Sequence, residues 1–441
     1  MAFRTYTSLA TERKIVIGFL ALIGTGTVAI LLLNANSRPL TFVDALFTAT
    51  SAVCVTGLTV VDTGKDLTTA SQLVLLLLIQ LGGLGVMTAT TALSLLMRER
   101  IGLRQRMFFA GGFGLDSPSG VIRLLIRILS LTFAIEAIAV FPLYWGFSRA
   151  GLSPEQSLYN AVFHSVSAFC NAGFSLFSEN LEGFSSGILV PGTVMVLVVL
   201  GGLGFIVLSE LKETFREPAR ISVHSRLVLL TTAGLVLFGT ALLLLCEWNR
   251  SLESMGVGWK IWNALFSSIT PRTAGFDTVA LSTFSSAGLF VVTLLMIVGA
   301  SPGSTGGGFK TTTLAVLLVS TWNVLKGRSE VHLWNRRIPI RVIQRAITMI
   351  VLYLGILGIG LMTLVLLEPF PFRSLLFETA SALGTVGLSL GITSQLSDPG
   401  KLVLVLLMFW GRVGIITFLY GLVKREARGK ISYPDAEIPV G

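Results

Sequence analysis

The chain has 441 residues, of which 53% are hydrophobic and 13% charged, about half of the roughly 25% charged share of soluble domains. That balance excludes an ordinary soluble domain and points to a protein with several membrane crossings. The net charge of +10 therefore has to be read by its sorting across a membrane, and it does not by itself argue for nucleic acid.

Taken in chain order, apolar stretches long enough for a hydrocarbon core of roughly 30 Å occur at 15–33, 72–97, 124–147, 189–211, 227–246, 286–325 with an interruption, 347–367 and 401–423. Eight crossings are predicted. The amino-terminal segment, the connections 98–127, 212–226 and 326–345, and the carboxy-terminal tail carry 23 of the 33 Lys and Arg residues, and the alternate connections carry eight. By the positive-inside rule both termini are cytoplasmic and the alternate connections lie outside. The first apolar run is of spanning length and follows Arg13 and Lys14, which predicts a retained helix rather than a cleaved signal. The three cysteines are an odd number, and Cys54 and Cys170 each stand three residues before a repeated glycine. Free thiols are expected, not a disulfide framework.

Each outside connection within a pair of crossings contains the same polar hairpin. The four read LFTATSAVCVTGL from Leu46, VFHSVSAFCNAGF from Val162, LFSSITPRTAGF from Leu265 and LFETASALGTVGL from Leu376. They align on Gly57, Gly173, Gly275 and Gly387, at spacings of 116, 102 and 112 residues, so the repeating unit is two helices and a hairpin. Helical prefaces at 41–52, 158–168, 261–269 and 375–383 would aim their negative carboxy-terminal ends at a common centre. Non-helical backbone at membrane depth has to face protein or water, and a ring of carbonyls can replace the hydration shell of a cation. Phe266 lies nine residues before its glycine, whereas Phe47, Phe163 and Phe377 lie ten before theirs. The third hairpin is expected to be out of register.

The predicted fold class is all-α integral membrane: four membrane–pore loop–membrane repeats, with eight transmembrane helices and four re-entrant pore helices around one pseudo-fourfold pore. The repeats are assigned to 1–105, 106–218, 219–338 and 339–441. In the third, GASPGSTGGGFKTTT at 299–313 breaks the second helix, with Pro302 and the glycines Gly299, Gly303, Gly306, Gly307 and Gly308. Each glycine penalises helix by up to about 1 kcal/mol. A movable constriction beneath the third hairpin is expected, with a passive kink as the plainer alternative. A phosphate-binding loop is disfavoured because Phe309 separates Gly308 from Lys310 and no strand precedes. The LGGLG runs at 81–85 and 200–204 read as sites of close helix packing.

Lys310 and Arg412 fall within apolar segments, where charge is costly and marks functional candidates. Arg412 is expected to bond carbonyls freed by the broken segment, or else to brace two helices. Arg272 would repel a cation in the pore by about 1 kcal/mol at 4 Å even in water. It is expected to point away and support the hairpin against Asp277 or Glu378; the alternative is a surface arginine at the mouth. Glu136 is expected to bond a neighbouring helix, His164 to be packed or at the mouth, and His224 and His332 to bind no metal. No constellation for catalysis is evident within the spans.

The hairpins and their order resemble the Trk/Ktr/HKT superfamily of cation transporters over nearly all of the chain. The most specific pieces are TPRTAGF at 270–276 and the glycine-rich break at 299–310. Trp410, Gly411, Arg412, Val413 and Gly414, with no extra amino-terminal helices, are most similar to its KtrB branch, the membrane subunits of bacterial Ktr potassium uptake systems. The resemblance implies a potassium filter formed by main-chain carbonyls of Val55, Thr56, Gly57, Asn171, Ala172, Gly173, Thr273, Ala274, Gly275, Thr385, Val386 and Gly387. It also implies a cytoplasmic-side gate at the broken helix, a homodimer, a ring of KtrA-like nucleotide-binding regulatory subunits in the cytoplasm, and activation by sodium. The location implied is the bacterial cytoplasmic membrane, with potassium transported and no organic cofactor or nucleic acid bound. In the plant branch a serine at the first filter glycine goes with sodium preference, and Gly57 therefore favours potassium. A sodium-permeable or weakly selective relative is the alternative within transport; an intramembrane enzyme or scaffold is the alternative outside it. The basic segments 98–106 and 326–345 would suit a docking partner or plain solvation equally.

Overall fold

A computed structural model describes residues 2–35, 38–85, 121–214, 221–328 and 330–414. The basic segment 98–106, the distal parts of the spans predicted at 72–97 and 401–423, the repeat boundaries near 105 and 218 and the carboxy-terminal tail lie outside the described residues. Among the described residues, four helices are long and apolar enough to cross a bilayer: α1 (Ala2–Asn34), α4 (Val121–Arg149), α8 (Val223–Glu247) and α12 (Ile340–Leu367). Most of their apolar surface is not covered by the chain, with Ile138, Leu237, Leu245 and Leu366 more than two-thirds exposed. Lipid is the solvent that such surfaces match. The chain is an all-α membrane protein with multiple spans; the described residues outside helices include one small hairpin of strands, β1 (His332–Leu333) and β2 (Arg336–Arg337).

Each long helix is followed by a short, largely buried helix: α2 (Phe42–Val53), α5 (Pro154–Phe169), α9 (Val257–Ile269) and α13 (Phe372–Gly384). Three of these begin three or four residues earlier than the sequence pattern suggests, and in α5 the cause is a cap that reaches beyond the apolar run. Ser153 caps α5 in a reciprocal box with Gln156, and Pro154 occupies the first turn. The four hairpin phenylalanines, Phe47, Phe163, Phe266 and Phe377, are all at most 2% exposed. They anchor the short helices in the apolar interior.

A second helix then closes each unit: α3 (Thr69–Leu84), α6 (Leu189–Leu203), α10 (Ser286–Ile297) and α14 (Asp398–Val413). In three units the end of the long helix ties down the start of the second. Asn34 Oδ1 accepts from Thr68 N at 2.9 Å, Glu247 Oε1 from Ser285 N at 3.0 Å and Glu368 Oε1 from Ser397 N at 3.0 Å. A Cβ on Gly288 or Gly400 would collide with these same carboxylates, which is why glycine stands three residues after each capping serine.

In the third unit the second helix is interrupted as expected, whereas in the first, second and fourth it stops inside the predicted span. Each ends at a sharp turn, at Gly85 (φ 81°), Gly204 (φ 93°), Val298 and Gly414 (φ 87°). Beyond Gly204 the chain resumes as α7 (Phe205–Thr214), bent by 102° from α6. The LGGLG runs do pack closely, since a Cβ on Gly82 or Gly201 would strike the carbonyls of Val53 or Phe169. Their last glycines also stop the helix, which hydropathy could not reveal.

Packing between units is cyclic. Helix α3 lies on α5, α6 on α9, α10 on α13, and α14 returns to α2. The closing contact is stapled by Lys401 Nζ, 2.8 Å from Asp44 Oδ1.

Candidate cation pathway

The four short helices deliver their hairpins to one centre, and the backbone there has a shared conformation. The residue two before each glycine is left-handed, with φ of 56° at Val55, 59° at Asn171, 68° at Thr273 and 51° at Thr385. The glycines follow at 91°, 70°, 72° and 95°, while Thr56, Ala172, Ala274 and Val386 between them are not left-handed. Alternating handedness breaks the period-two alternation of an extended strand, so successive carbonyls turn toward one side. A left-handed L-residue costs roughly 1–2 kcal/mol, and three of the four are β-branched, the class in which it is rarest.

Hydroxyl anchors hold this conformation. Ser51 accepts from Thr56 N at 2.8 Å through its carbonyl and from Gly57 N at 3.0 Å through Oγ, and Ser381 accepts from Val386 N and Gly387 N at 2.8 and 3.1 Å in the same way. Ser167 O accepts from Ala172 N at 2.7 Å, and its Oγ donates to Phe174 O at 2.8 Å. In the third hairpin Thr270 Oγ1 donates to Phe276 O and Thr270 O accepts from Ala274 N at 3.0 Å. The anchor stands six residues before its glycine in three hairpins and five in the third. The shortened register expected from Phe266 thus lies between Thr270 and Gly275.

The glycines close a ring. A Cβ on Gly57 would collide with Ala172 O, one on Gly173 would lie 2.7 Å from Ala274 O, one on Gly275 2.7 Å from Val386 O, and one on Gly387 would collide with Thr56 O. Each glycine faces the carbonyl preceding the next glycine, and the fourth returns to the first. No side chain fits there.

One face of the ring opens into a vestibule of about 460 Å³ that includes all four glycines and Asp62, Asp66 and Asp277 in its lining. Carboxylates beside a narrow passage raise the local cation concentration. Arg272 is buried at 4% exposure and donates through Nη2 to Thr232 Oγ1 of α8 at 3.2 Å. Neither expected partner bonds it. Glu378 accepts from Ser389 Oγ at 2.5 Å, Leu390 N at 3.2 Å and Thr393 Oγ1 at 2.8 Å, and Asp277 has no basic partner among the described residues. Cys54 and Cys170 are buried and free, as expected.

On the opposite face the segment after α10 folds back beneath the ring, before α11 (Thr311–Leu325). Gly299 N donates to Phe309 O at 2.8 Å, pinching the loop shut at its base. Its tip touches the left-handed hairpin residues: a Cβ on Gly306 would collide with Thr273 Oγ1, and Gly307 N donates to Thr385 Oγ1 at 3.1 Å. The loop also fills the helix breaks of the second and fourth units. Ser301 N donates to Gly202 O at 3.0 Å, Phe205 N to Gly303 O at 3.0 Å and Gly308 N to Gly411 O at 3.3 Å; Pro302 O lies against Gly204. Lys310 Nζ donates to Gly306 O at 2.9 Å and Gly307 O at 3.2 Å. Arg412 donates to Thr305 O in the loop and to Gly82 O and Gly83 O of α3. It therefore bonds one freed loop carbonyl and ties α14 to α3 at once.

Glu136 of α4 meets a neighbouring unit, accepting from Gln80 Nε2 at 3.4 Å. His164 is packed, with Nδ1 2.8 Å from Asn160 O and Nε2 3.0 Å from Ser175 Oγ. Thr305 and Asn180 escaped the sequence reading. Thr305 Oγ1 donates to Phe169 O at 3.2 Å, and Asn180 Nδ2 donates to Gly275 O at 3.1 Å; Thr305 lies in the glycine-rich break with nothing to single out its hydroxyl, and Asn180 has no local motif.

Short helices directed at a ring of backbone carbonyls, inside a lipid-matched helical shell, characterise a membrane protein that passes small cations. The chain belongs to the TrkH family of cation transport proteins, whose model matches residues 5–431. It is 36% identical over 431 residues to Ktr system potassium uptake protein B of Bacillus subtilis (strain 168), covering 96% of this chain and 95% of that protein. Similarity is equal, 36% over 433 residues, to the protein of the same name from Vibrio alginolyticus, at 97% and 94% coverage. Potassium/sodium uptake protein NtpJ of Enterococcus hirae is 35% identical over 454 residues, at 100% and 99%. The crystal structure of the potassium transporter TrkH from Vibrio parahaemolyticus shares the fold, with a TM-score of 0.70 at 20% identity over 92% of this chain and 84% of that one.

Proposed function

We propose that this chain is the potassium-translocating subunit of a Ktr-type uptake system in the bacterial cytoplasmic membrane, with four repeats around one pseudo-fourfold pore and both termini cytoplasmic. The observation that carries the reading is the cyclic approach of Gly57, Gly173, Gly275 and Gly387, each to the carbonyl before the next glycine. The filter consists of those glycines with Val55, Thr56, Asn171, Ala172, Thr273, Ala274, Thr385 and Val386. A dehydrated alkali cation needs several oxygen ligands at once, and stacked carbonyl rings supply them without a fixed counter-charge. Ions move down their electrochemical gradient.

The loop carrying Gly299, Pro302, Gly303, Gly306, Gly307, Gly308 and Lys310 is the gate, latched by Arg412. Its contacts with Thr273 and Thr385 support this role, because a loop bonded to the inner end of the filter blocks passage until those bonds break. Arg272 supports the third hairpin through Thr232. Homodimerisation, a KtrA-like cytoplasmic ring and sodium activation complete the proposal, resting on the similarity to Ktr system proteins. The second reading, a sodium-permeable transporter, is favoured by the likeness to a protein named for potassium and sodium uptake.

Potassium-dependent rescue of an uptake-deficient host tests the transport reading. Ion flux in liposomes, with Gly57→Ser beside wild type, tests the filter: the variant is expected to lose preference for potassium over sodium. Equal selectivity in the two proteins overturns the filter assignment.

A further inference from the structure

The vestibule wall is electrostatically unequal. On the side of the first hairpin, Asp66 is 2.6 Å from Arg38 and Asp62 is 3.8 Å from Lys65. Asp62 Oδ1 also accepts from Gly64 N and Lys65 N at 2.9 and 3.0 Å. Beside Gly275, the Oδ1 atom of Asp277 is buried with no hydrogen-bond partner, and so is Oδ1 of Asn180. Both residues line the vestibule.

The two are fastened together by the backbone. Leu181 N donates to Asp277 O at 3.1 Å, and Asn180 Nδ2 donates to Gly275 O at 3.1 Å. Asn180 is itself left-handed at φ 50° and is held through Ser175 Oγ, which bonds Asn180 O at 3.4 Å and lies 3.0 Å from His164 Nε2. With its amide nitrogen committed to the ring, Asn180 has only its oxygen left to offer. Buried acceptors left unpaired are costly, and a cation relieves the cost.

We infer that Asp277 and Asn180 form an off-axis binding site for an alkali cation, beside Gly275, that holds the ion before it enters the ring. An all-oxygen set of one carboxylate and one amide, completed by vestibule water, suits a hard cation and lacks the nitrogen or sulfur that transition metals favour. A single carboxylate balances one positive charge, whereas calcium sites gather six to eight oxygens and usually several carboxylates. Binding at this site stands independently of the transport reading; its role as a waiting position rests on that reading.

Anomalous diffraction from crystals of the full chain soaked in Tl⁺ is expected to show a peak between Asp277 and Asn180 that Asp277→Asn removes. Wild-type crystals without that peak overturn the proposal. In proteoliposomes, Asp277→Asn is expected to raise the KM for external Rb⁺ about three- to tenfold, a larger change than that in maximal rate. Asp277→Glu restores the low KM, and Asp62→Asn, whose carboxylate is already paired, changes it less. Excess choline chloride screens diffuse surface charge but leaves a local site intact. If choline abolishes the difference, or Asp62→Asn reproduces it, the effect is surface potential and the site is overturned. A Tl⁺ peak without any Rb⁺ flux through the wild type overturns the transport reading and leaves the site standing.

Discussion

At the residue scale, the least expected feature is the left-handed backbone at Val55, Asn171, Thr273 and Thr385. At Val55, Thr273 and Thr385 nothing in the side chain announces it, because Val and Thr are among the residues that avoid this region, whereas Asn171 is of a type that tolerates it. It is imposed by the anchors Ser51, Ser167, Thr270 and Ser381 and by the burial of the whole turn. The glycines, by contrast, were legible because each is needed twice, for positive φ and for the missing side chain. Gly57→Ser violates both conditions. Its expected result is a loss of potassium over sodium preference of about tenfold or more, equivalent to roughly 1.4 kcal/mol, read as competing Rb⁺ and Na⁺ fluxes. Thr385→Val keeps the side-chain shape but deletes the acceptor for Gly307 N. The loss of one hydrogen bond, about 1 kcal/mol, is expected to raise flux several-fold if the loop must leave its seat for ions to pass.

At the element scale, the four second helices share a break that hydropathy revealed only in the third unit. There Pro302 and five glycines interrupt the apolar pattern, whereas Gly85, Gly204 and Gly414 sit in shorter runs without proline, LGGLG or WGRVG, that hydropathy does not mark as a break. The breaks matter because they free the carbonyls that the loop and Arg412 then satisfy. Arg412→Ala removes the donors to Thr305 O, Gly82 O and Gly83 O. Hydrogen bonds from a charged donor contribute about 1.5–3 kcal/mol each, so flux is expected to rise at least tenfold in liposomes; deletion of 303–307 is expected to act the same way. Unchanged rates in both would mean that the loop does not limit passage. Gly204→Ala, with φ 93° and Pro302 O 2.6 Å from the new Cβ, is expected to lower the Tm of the purified protein.

At the scale of the whole molecule, the order of packing α3–α5, α6–α9, α10–α13 and α14–α2 turns a linear series into a closed one. Lys401 and Asp44, 357 residues apart, fasten the closure at 2.8 Å with both side chains mostly covered. Lys401→Met leaves the half-buried Asp44 with Thr41 Oγ1 but without its cation and is expected to destabilise the protein by about 1–2 kcal/mol, seen as a lower Tm in detergent. Pairing it with Asp44→Asn is expected to recover most of that loss. The sequence by itself determined that the chain is a membrane protein with several spans, the four hairpins, the glycines, the shortened third register and the costly charges at 310 and 412, because all of these are written in local composition and spacing. Only the tertiary structure decided which carbonyl each glycine faces, where Arg272 and Arg412 donate, and that Asn180 reaches Gly275. Apart from the bond of Arg272 to Thr232, 40 residues away in its own unit, those contacts join units about a hundred residues or more apart, and their geometry is fixed by the closing of the ring.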